Sequence, residues 1–171
     1  KDYRNDVTLE NVVMDVDQDC APELVAMLGS ALATCISDIP FDGPTAATQV
    51  GLVDGKLVYN PTSAEREVSD LSLTVASTRD KVIMIEAGAN EVSEEVMIEA
   101  IYGAHKINGE IIEFFDKIVA ECGKAKHEYE HFEIPSDMYQ DMVDFITPEA
   151  MEEAVFTDVK QVREENIRKI K

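Results

Sequence analysis

The amino-acid sequence predicts an α/β (α+β) fold in which two β-hairpins lie between a short helix and a long helix. Between positions 45 and 90, turn-forming residues separate short runs of alternating apolar and polar residues, a pattern typical of strands. An apolar stripe at three- and four-residue spacing follows and predicts one long helix. From Lys124 onward charged residues become frequent and β-branched residues rare. We therefore expect a domain over residues 1–123 and a small all-α segment over residues 124–171.

Composition and charge limit the possible functions. Of the 171 residues, 45% are hydrophobic, which is enough to fill a core, and the formal net charge is −20. Because polyphosphate backbones are bound mainly through lysine and arginine, this charge argues against an autonomous nucleic-acid binder. Cys20, Cys35 and Cys122 show no CxxC spacing and predict buried free thiols in a reducing cytoplasm. No apolar run approaches the length that a membrane span needs.

The first segment, Val7–Asp17, has a β-rich centre and predicts a strand. Asp19 is expected to cap a helix that begins near Ala21 and has Pro22 in its first turn. Alternating acids resemble the start of a calcium-binding loop: Asp15, Asp17 and Asp19. The glycine and the glutamate that such a loop requires further on are missing, so we expect an ordinary turn.

The first helix and the hairpin after it are predicted from local signals. Six apolar residues share one face of the helix: Leu24, Met27, Leu28, Leu32, Cys35 and Ile36. Pro40 ends this helix because it disfavours the α region for the residue before it. Strands are then expected over Ala46–Val53 and Lys56–Tyr59, joined by Asp54-Gly55, a pair that suits a primed two-residue turn.

A second pair of strands is predicted over Leu71–Ala76 and Lys81–Glu86, with Gly88 as a break after the second strand. The piece between the two hairpins, Ser63–Asp70, is short and polar, and we expect it to be a connection.

The long helix is expected to begin at Ser93 and to end at Gly123. Gly103 and Gly109 within it indicate places where another element packs closely. His105 lies on or beside the apolar stripe, where a packed and hydrogen-bonded histidine is much more common than a ligand or a base.

Short helices are predicted after residue 124, over Ser136–Phe145, Pro148–Phe156 and Asp158–Ile170. Pro135 and Pro148 separate these helices, and Ser136 and Thr147 are the expected caps.

Residues 127–131 match the HExxH pattern, in which two histidines on one helix face hold zinc and the glutamate acts as a base. Here these residues would be His127, His131 and Glu128, with Glu149, Glu152 or Glu153 as a third ligand. Pro135 limits such a helix to about two turns, and the flanking residues lack apolar packing. An exposed charged turn is therefore the favoured interpretation, and an HExxH-type zinc hydrolase or a protein-interaction module is the alternative function.

Several separated segments resemble bacterial polynucleotide phosphorylase (polyribonucleotide nucleotidyltransferase). They are Tyr3–Val7, Val16–Cys20, Ser37–Gly43, Gly51–Thr62, Ser69–Thr78 and Glu91–Met97. The resemblance implies the second half of the first ribonuclease-PH-like domain, followed from Gly123 by the start of an all-helical linker domain. It also implies a homotrimeric cytoplasmic enzyme that degrades RNA from the 3′ end by phosphorolysis, releases nucleoside diphosphates, and uses phosphate and magnesium.

The resemblance places the active site of this family in the second ribonuclease-PH-like domain, whereas this chain resembles the first. The family's phosphate-binding serines correspond to Ala21-Pro22-Glu23 here, and its two metal-binding aspartates to Asn60 and Arg66. We therefore predict no catalytic, cofactor-binding or metal-binding residue, and a structural role that supports the RNA channel. Half of such a domain would leave a sheet edge unpaired, so we also expect a compact rearranged unit or self-association.

Overall fold

The computed structural model describes residues 2–171, and the chain folds into two compact units. The larger unit comprises residues 5–128 and contains a sheet and a long helix. The smaller unit comprises residues 2–4 and 129–171 and contains three helices. The predicted α/β fold with a long helix and further helices is therefore confirmed. No helix within residues 2–171 is both long enough and apolar enough to cross a membrane.

The four strands form one antiparallel sheet in the order β2-β1-β3-β4. Their bounds are β1 Ala46–Val53, β2 Lys56–Tyr59, β3 Leu71–Ser77 and β4 Val82–Ala89. Asp54 and Gly55 have φ angles of 49° and 73°, which confirms the primed turn between β1 and β2. The predicted break at Gly88 is wrong, because Gly88 pairs with Ser72 and β4 continues past it.

The predicted strand over Val7–Asp17 is wrong. This segment forms no regular structure, and Val12 and Met14 in its centre are 69% and 89% exposed. The β-rich composition expresses only a local preference, whereas a strand needs a neighbour that pairs with its backbone N–H and C=O groups. No strand of the described residues pairs with this segment.

The first helix, α1 (Pro22–Ile36), has the predicted bounds but not the predicted cap. Its N-cap residue is Ala21, which makes no side-chain hydrogen bond to the helix. The carboxylate of Asp19 instead accepts a hydrogen bond from the backbone N–H of Ser63, with Oδ1 at 3.1 Å. Capping depends on the path of the chain before the helix, and that path places Asp19 beside a different element.

The short polar connection between the two hairpins contains a helix that was not predicted, α2 (Ser63–Val68). Thr62 and Glu65 form a capping box: the Glu65 N–H donates to Thr62 Oγ1, and the Thr62 N–H donates to Glu65 Oε2 at 2.8 Å. The hydrogen bonds from Thr62 lower the pKa of the Glu65 carboxyl.

The long helix, α3 (Glu94–Cys122), packs across one face of the sheet. Its predicted start and end are confirmed, since the hydroxyl of Ser93 accepts from the Val96 N–H and Gly123 follows the last turn. Alanines of α3 meet branched side chains of β1 and β3 in the core, which contains Val50, Leu71, Leu73, Val75, Ala100 and Ala104. Small helix residues allow this close approach of the helix to the sheet.

Of the two glycines singled out in α3, only one lies at a close contact. A Cβ atom built on Gly103 would lie 1.8 Å from the Tyr59 hydroxyl oxygen, whereas one built on Gly109 would meet nothing within 4 Å. The close approach predicted at Gly103 is therefore confirmed and the one at Gly109 is wrong. His105 is half-buried, and its Nδ1 has no hydrogen-bond partner among residues 2–171, so the described chain does not supply the predicted hydrogen bond at that atom.

A buried polar cluster connects α3 to the sheet. The Asn108 carboxamide accepts a hydrogen bond from the Thr48 hydroxyl at 2.8 Å. The same side chain donates to the Val75 carbonyl at 3.0 Å and to the Ser77 hydroxyl at 2.9 Å. Asn108 is 0% exposed, so these bonds replace those that water would otherwise make. They fix the position of the helix along the sheet.

The chain that leaves α3 returns to the C-terminal end of α1. The Lys126 ammonium donates to the backbone carbonyls of Thr34, Cys35 and Ser37, with Nζ–O distances of 3.0, 2.8 and 2.7 Å. The last carbonyls of a helix have no partner within it, and they carry partial negative charge. Lys126 thus acts as a cap for α1 from a distant part of the chain, a role that the sequence did not reveal.

The smaller unit contains α4 (Ser136–Phe145), α5 (Pro148–Val155) and α6 (Lys160–Ile170). The hydroxyl of Thr147 accepts from the Ala150 N–H at 3.3 Å, which confirms the predicted cap of α5. Ser136 is the first residue of α4 rather than its cap, because the N-cap position is taken by Pro135.

Candidate functional site: a groove beside the first helix

Two of the residues that the resemblance aligns with the family's ion-binding residues, Glu23 and Arg66, lie in one groove of the larger unit. The groove has a volume of about 610 Å³, and both Glu23 of α1 and Arg66 of α2 line it. Its floor is the face of the sheet opposite α3, where Ser72, Thr74 and Glu86 contribute side chains. We call this cavity the α1 groove. The sequence separates Glu23 from Arg66, and the sheet brings them together.

The N-terminus of α1 forms one wall of the groove. Pro22 has no N–H, the N-cap residue Ala21 has no hydroxyl, and Glu23 adds a carboxylate to the first turn. Anions bind helix N-termini through free N–H groups and through the positive end of the helix dipole. Here one donor is missing and a negative charge already lies in the first turn. This end of the groove therefore disfavours phosphate.

Arg66 and Asn60 both have structural contacts. The Arg66 guanidinium donates to the Pro61 carbonyl at 2.6 Å and to the Gln18 carbonyl at 2.7 Å. Asn60, at a positive φ of 52°, exchanges hydrogen bonds with the backbone of Gln49 through its N–H and its Oδ1. A guanidinium cannot replace a carboxylate as a ligand of a divalent cation, and both side chains hold the chain that connects β2 to α2.

Glu86 of β4 is a groove residue that sequence reasoning missed. It lies on the same face of the sheet as Thr74, its partner in β3. Alternation along the predicted strand already places Met84 and Glu86 on one face, but the sequence does not show that this face lies beside Glu23 and Arg66. The α1 groove therefore contains two carboxylates and one guanidinium.

The HExxH segment does not form the helix that a zinc site of this kind requires. Residues 123–135 have no helical structure, so His127 and His131 do not share a helix face. His127 Nδ1 lies 4.0 Å from Asp38 Oδ2, and His131 Nδ1 lies 2.5 Å from Asp2 Oδ2. Within residues 2–171, no three His, Cys, Asp or Glu side chains are grouped so that they could hold a metal ion, so Glu128, Glu149, Glu152 and Glu153 belong to no such group.

Asp2 of the smaller unit has a perturbed carboxyl group. It accepts hydrogen bonds from His131 and, at 2.9 Å, from the Tyr129 hydroxyl. These bonds, with that of His131 as the larger cause, lower the pKa of Asp2 to about 2. The contact ties the start of the chain to residues 129–131 and is structural.

Similarity to known domains identifies the fold class of the larger unit. The sequence model of the 3′ exoribonuclease family, domain 2, matches residues 43–107, which cover the sheet and the first half of α3. The crystal structure of rice (Oryza sativa) Rrp46 has the same fold, with a TM-score of 0.55 at 16% identity over 61% of this chain and 51% of that chain. The larger unit is therefore a ribonuclease-PH-like domain in fold.

Similarity along the whole chain then identifies the family. Polyribonucleotide nucleotidyltransferase of Lachnoclostridium phytofermentans is 71% identical over 171 residues, which are all of this chain and 24% of that protein. The enzyme of the same name from Clostridioides difficile is 46% identical over 171 residues, which are all of this chain and 24% of that protein. The one from Alkaliphilus oremlandii is 58% identical over 135 residues, which are 79% of this chain and 19% of that protein. The chain belongs to the polyribonucleotide nucleotidyltransferase family. It spans about a quarter of the length of these curated relatives.

Proposed function

We propose that the chain serves a phosphate-dependent 3′-to-5′ exoribonuclease, which degrades messenger RNA by phosphorolysis and releases nucleoside diphosphates. Membership of the polyribonucleotide nucleotidyltransferase family supports this proposal, as does the match to a 3′ exoribonuclease domain. The reaction needs sites for inorganic phosphate, for the 3′ end of RNA and for a divalent cation, which stabilises the charge that develops on the transferred group.

We further propose that this chain is not catalytic by itself. One observation carries the proposal: in the α1 groove, Glu23 lies in an uncapped first turn, and the Arg66 guanidinium is bonded to two backbone carbonyls. The carboxylate repels a phosphate, and the guanidinium repels a divalent cation. In this family such ions would then be bound by parts of the enzyme outside this chain.

The role that remains for the chain is structural. We propose that residues 1–123 are the C-terminal part of the first ribonuclease-PH-like domain and that residues 124–171 begin an all-helical linker domain. Together they would help to build a cytoplasmic homotrimer and support its RNA channel, while the RNA contacts come from other parts of the enzyme. The net charge of −20 supports a structural role without RNA contacts, because the chain has few positively charged side chains that could bind RNA.

A phosphorolysis assay tests the proposal. The 171-residue chain is incubated with polyadenylate, inorganic phosphate and magnesium, and the released adenosine diphosphate is measured, with a complete polyribonucleotide nucleotidyltransferase as positive control. We expect no release above the buffer blank. Calorimetric titrations with phosphate and with magnesium accompany the assay, and neither ion should bind. Release of adenosine diphosphate in proportion to the concentration of the chain would overturn the proposal that the chain is not catalytic.

A further inference from the structure

The outer edge of β4 is an unprotected strand edge. β4 is the last strand of the sheet, and no strand of the described residues pairs with its outer side. Ile83 and Ile85 are 56% and 49% exposed, and the strand contains neither lysine nor proline, the residues that commonly protect edges. An edge of this kind can accept a further strand, because its outward N–H and C=O groups lack backbone partners.

The two faces of β4 differ in chemistry. Ile85 pairs with the core residue Val75 and lies on the α3 side of the sheet, whereas Met84 and Glu86 line the α1 groove. A strand added beside β4 would therefore alternate between small apolar side chains on the first face and long side chains that reach the groove on the second. Met84 offers an apolar wall for the stem of a lysine or arginine, and Glu86 offers a carboxylate for its head.

Charge decides what kind of strand fits. Glu23 and Glu86 outnumber Arg66 in the groove, and the Arg66 guanidinium is already bonded to backbone carbonyls. The whole chain carries a net charge of −20, so charge disfavours a second copy of it at this strand edge, and it disfavours RNA there for the same reason. A basic segment would be attracted.

We infer that the outer edge of β4 binds an extended, basic segment of a second polypeptide, which adds a strand to the sheet and directs lysine or arginine side chains into the α1 groove. This inference goes beyond the proposed function and does not depend on the chain being catalytically silent.

Binding of designed peptides tests the inference. The probe is a fluorescent peptide of about ten residues with alternating lysine and valine, long enough to cover a typical strand. The control is the same peptide with every backbone amide methylated, which keeps its charge but removes all of its backbone hydrogen-bond donors. We expect the probe to bind at least about tenfold more tightly than the methylated control. Hydrogen exchange of the β4 amides should slow on binding.

Two charge reversals locate the site. Glu86→Lys should weaken binding of the probe about fivefold, because it replaces an attraction by a repulsion at a solvent-exposed position. Glu99→Lys, on the exposed side of α3, changes the net charge equally and should leave the affinity almost unchanged. Equal effects of the two reversals would show that the peptide senses only the overall charge and would overturn the inference.

Other results would also overturn it. One is that the methylated control binds as tightly as the probe, and another is that the peptide slows hydrogen exchange only at amides outside β4. A third is a dimer in sedimentation whose β4 amides are protected from exchange without peptide, and a fourth is protection of the β4 amides by oligoadenylate. The last two would assign the edge to a second copy of the chain or to RNA.

Discussion

The contact between Gly103 and Tyr59 offers a sharp test of how α3 packs on the sheet. Gly103→Ala would place a methyl group 1.8 Å from the Tyr59 Oη and 2.6 Å from its Cζ, far inside van der Waals contact. Gly109→Ala, six residues further along the same helix, adds the same methyl group where nothing lies within 4 Å. The two substitutions form a matched pair.

The expected magnitudes follow from opposing effects. Replacing glycine by alanine inside a helix stabilises the folded state by about 1 kcal/mol, because the unfolded chain loses conformational freedom. Forcing extra volume into a packed contact costs about 1–3 kcal/mol. Only Gly103→Ala incurs the second effect, since the Tyr59 ring must move. We expect Gly109→Ala to raise the free energy of unfolding by about 0.5–1 kcal/mol. The free energy of unfolding of the Gly103→Ala variant should be about 2 kcal/mol lower than that of the Gly109→Ala variant.

Urea unfolding of both variants, followed by circular dichroism, measures this difference. A third variant makes the test specific: in a Tyr59→Leu background the clashing ring is absent, and Gly103→Ala should then stabilise about as much as Gly109→Ala. The coupling free energy between positions 59 and 103 would be about 2 kcal/mol. If Gly103→Ala stabilises the wild-type background as much as Gly109→Ala does, the packing described here is refuted.

Three further predictions concern the other contacts. Asn108→Ala should lower the free energy of unfolding by about 2–4 kcal/mol, because it leaves the buried hydroxyls of Thr48 and Ser77 without their partner. The control Asn90→Ala, at an exposed position, should lower it by less than about 0.5 kcal/mol in the same urea denaturation experiment. Lys126→Met should cost about 1 kcal/mol and speed hydrogen exchange in the last turn of α1, while Lys124→Met, a neighbouring exposed lysine, should do neither. Because the pKa of Asp2 is lowered to about 2, its contact with Tyr129 and His131 should persist as the pH falls to about 4 and disappear on further acidification. A carboxyl-carbon NMR titration with a midpoint near the ordinary value of 3.8 would contradict that prediction.

Local signals determined most of the secondary structure from the sequence. The Asp54-Gly55 turn fixed the hairpin of β1 and β2, since its two positive φ angles depend on those residues alone. Ser93 marked the start of α3 and Thr147 the start of α5 because a hydroxyl at the N-cap can accept a hydrogen bond from the first turn, and Gly123 marked the end of α3 as a residue that commonly follows a helix. The family resemblance also followed from residues along the chain, and similarity at 71% identity confirms it.

Only the tertiary structure decided which distant residues meet. Val7–Asp17 has the composition of a strand but lacks a neighbour to pair with, whereas β4 extends past Gly88 because β3 lies beside it. The sheet brings Glu23 and Arg66 into one groove, and the chain after α3 brings Lys126 to the end of α1. Backbone preferences act over a few residues and can be inferred from sequence, but pairing, capping at a distance and charge juxtaposition depend on how whole elements are arranged.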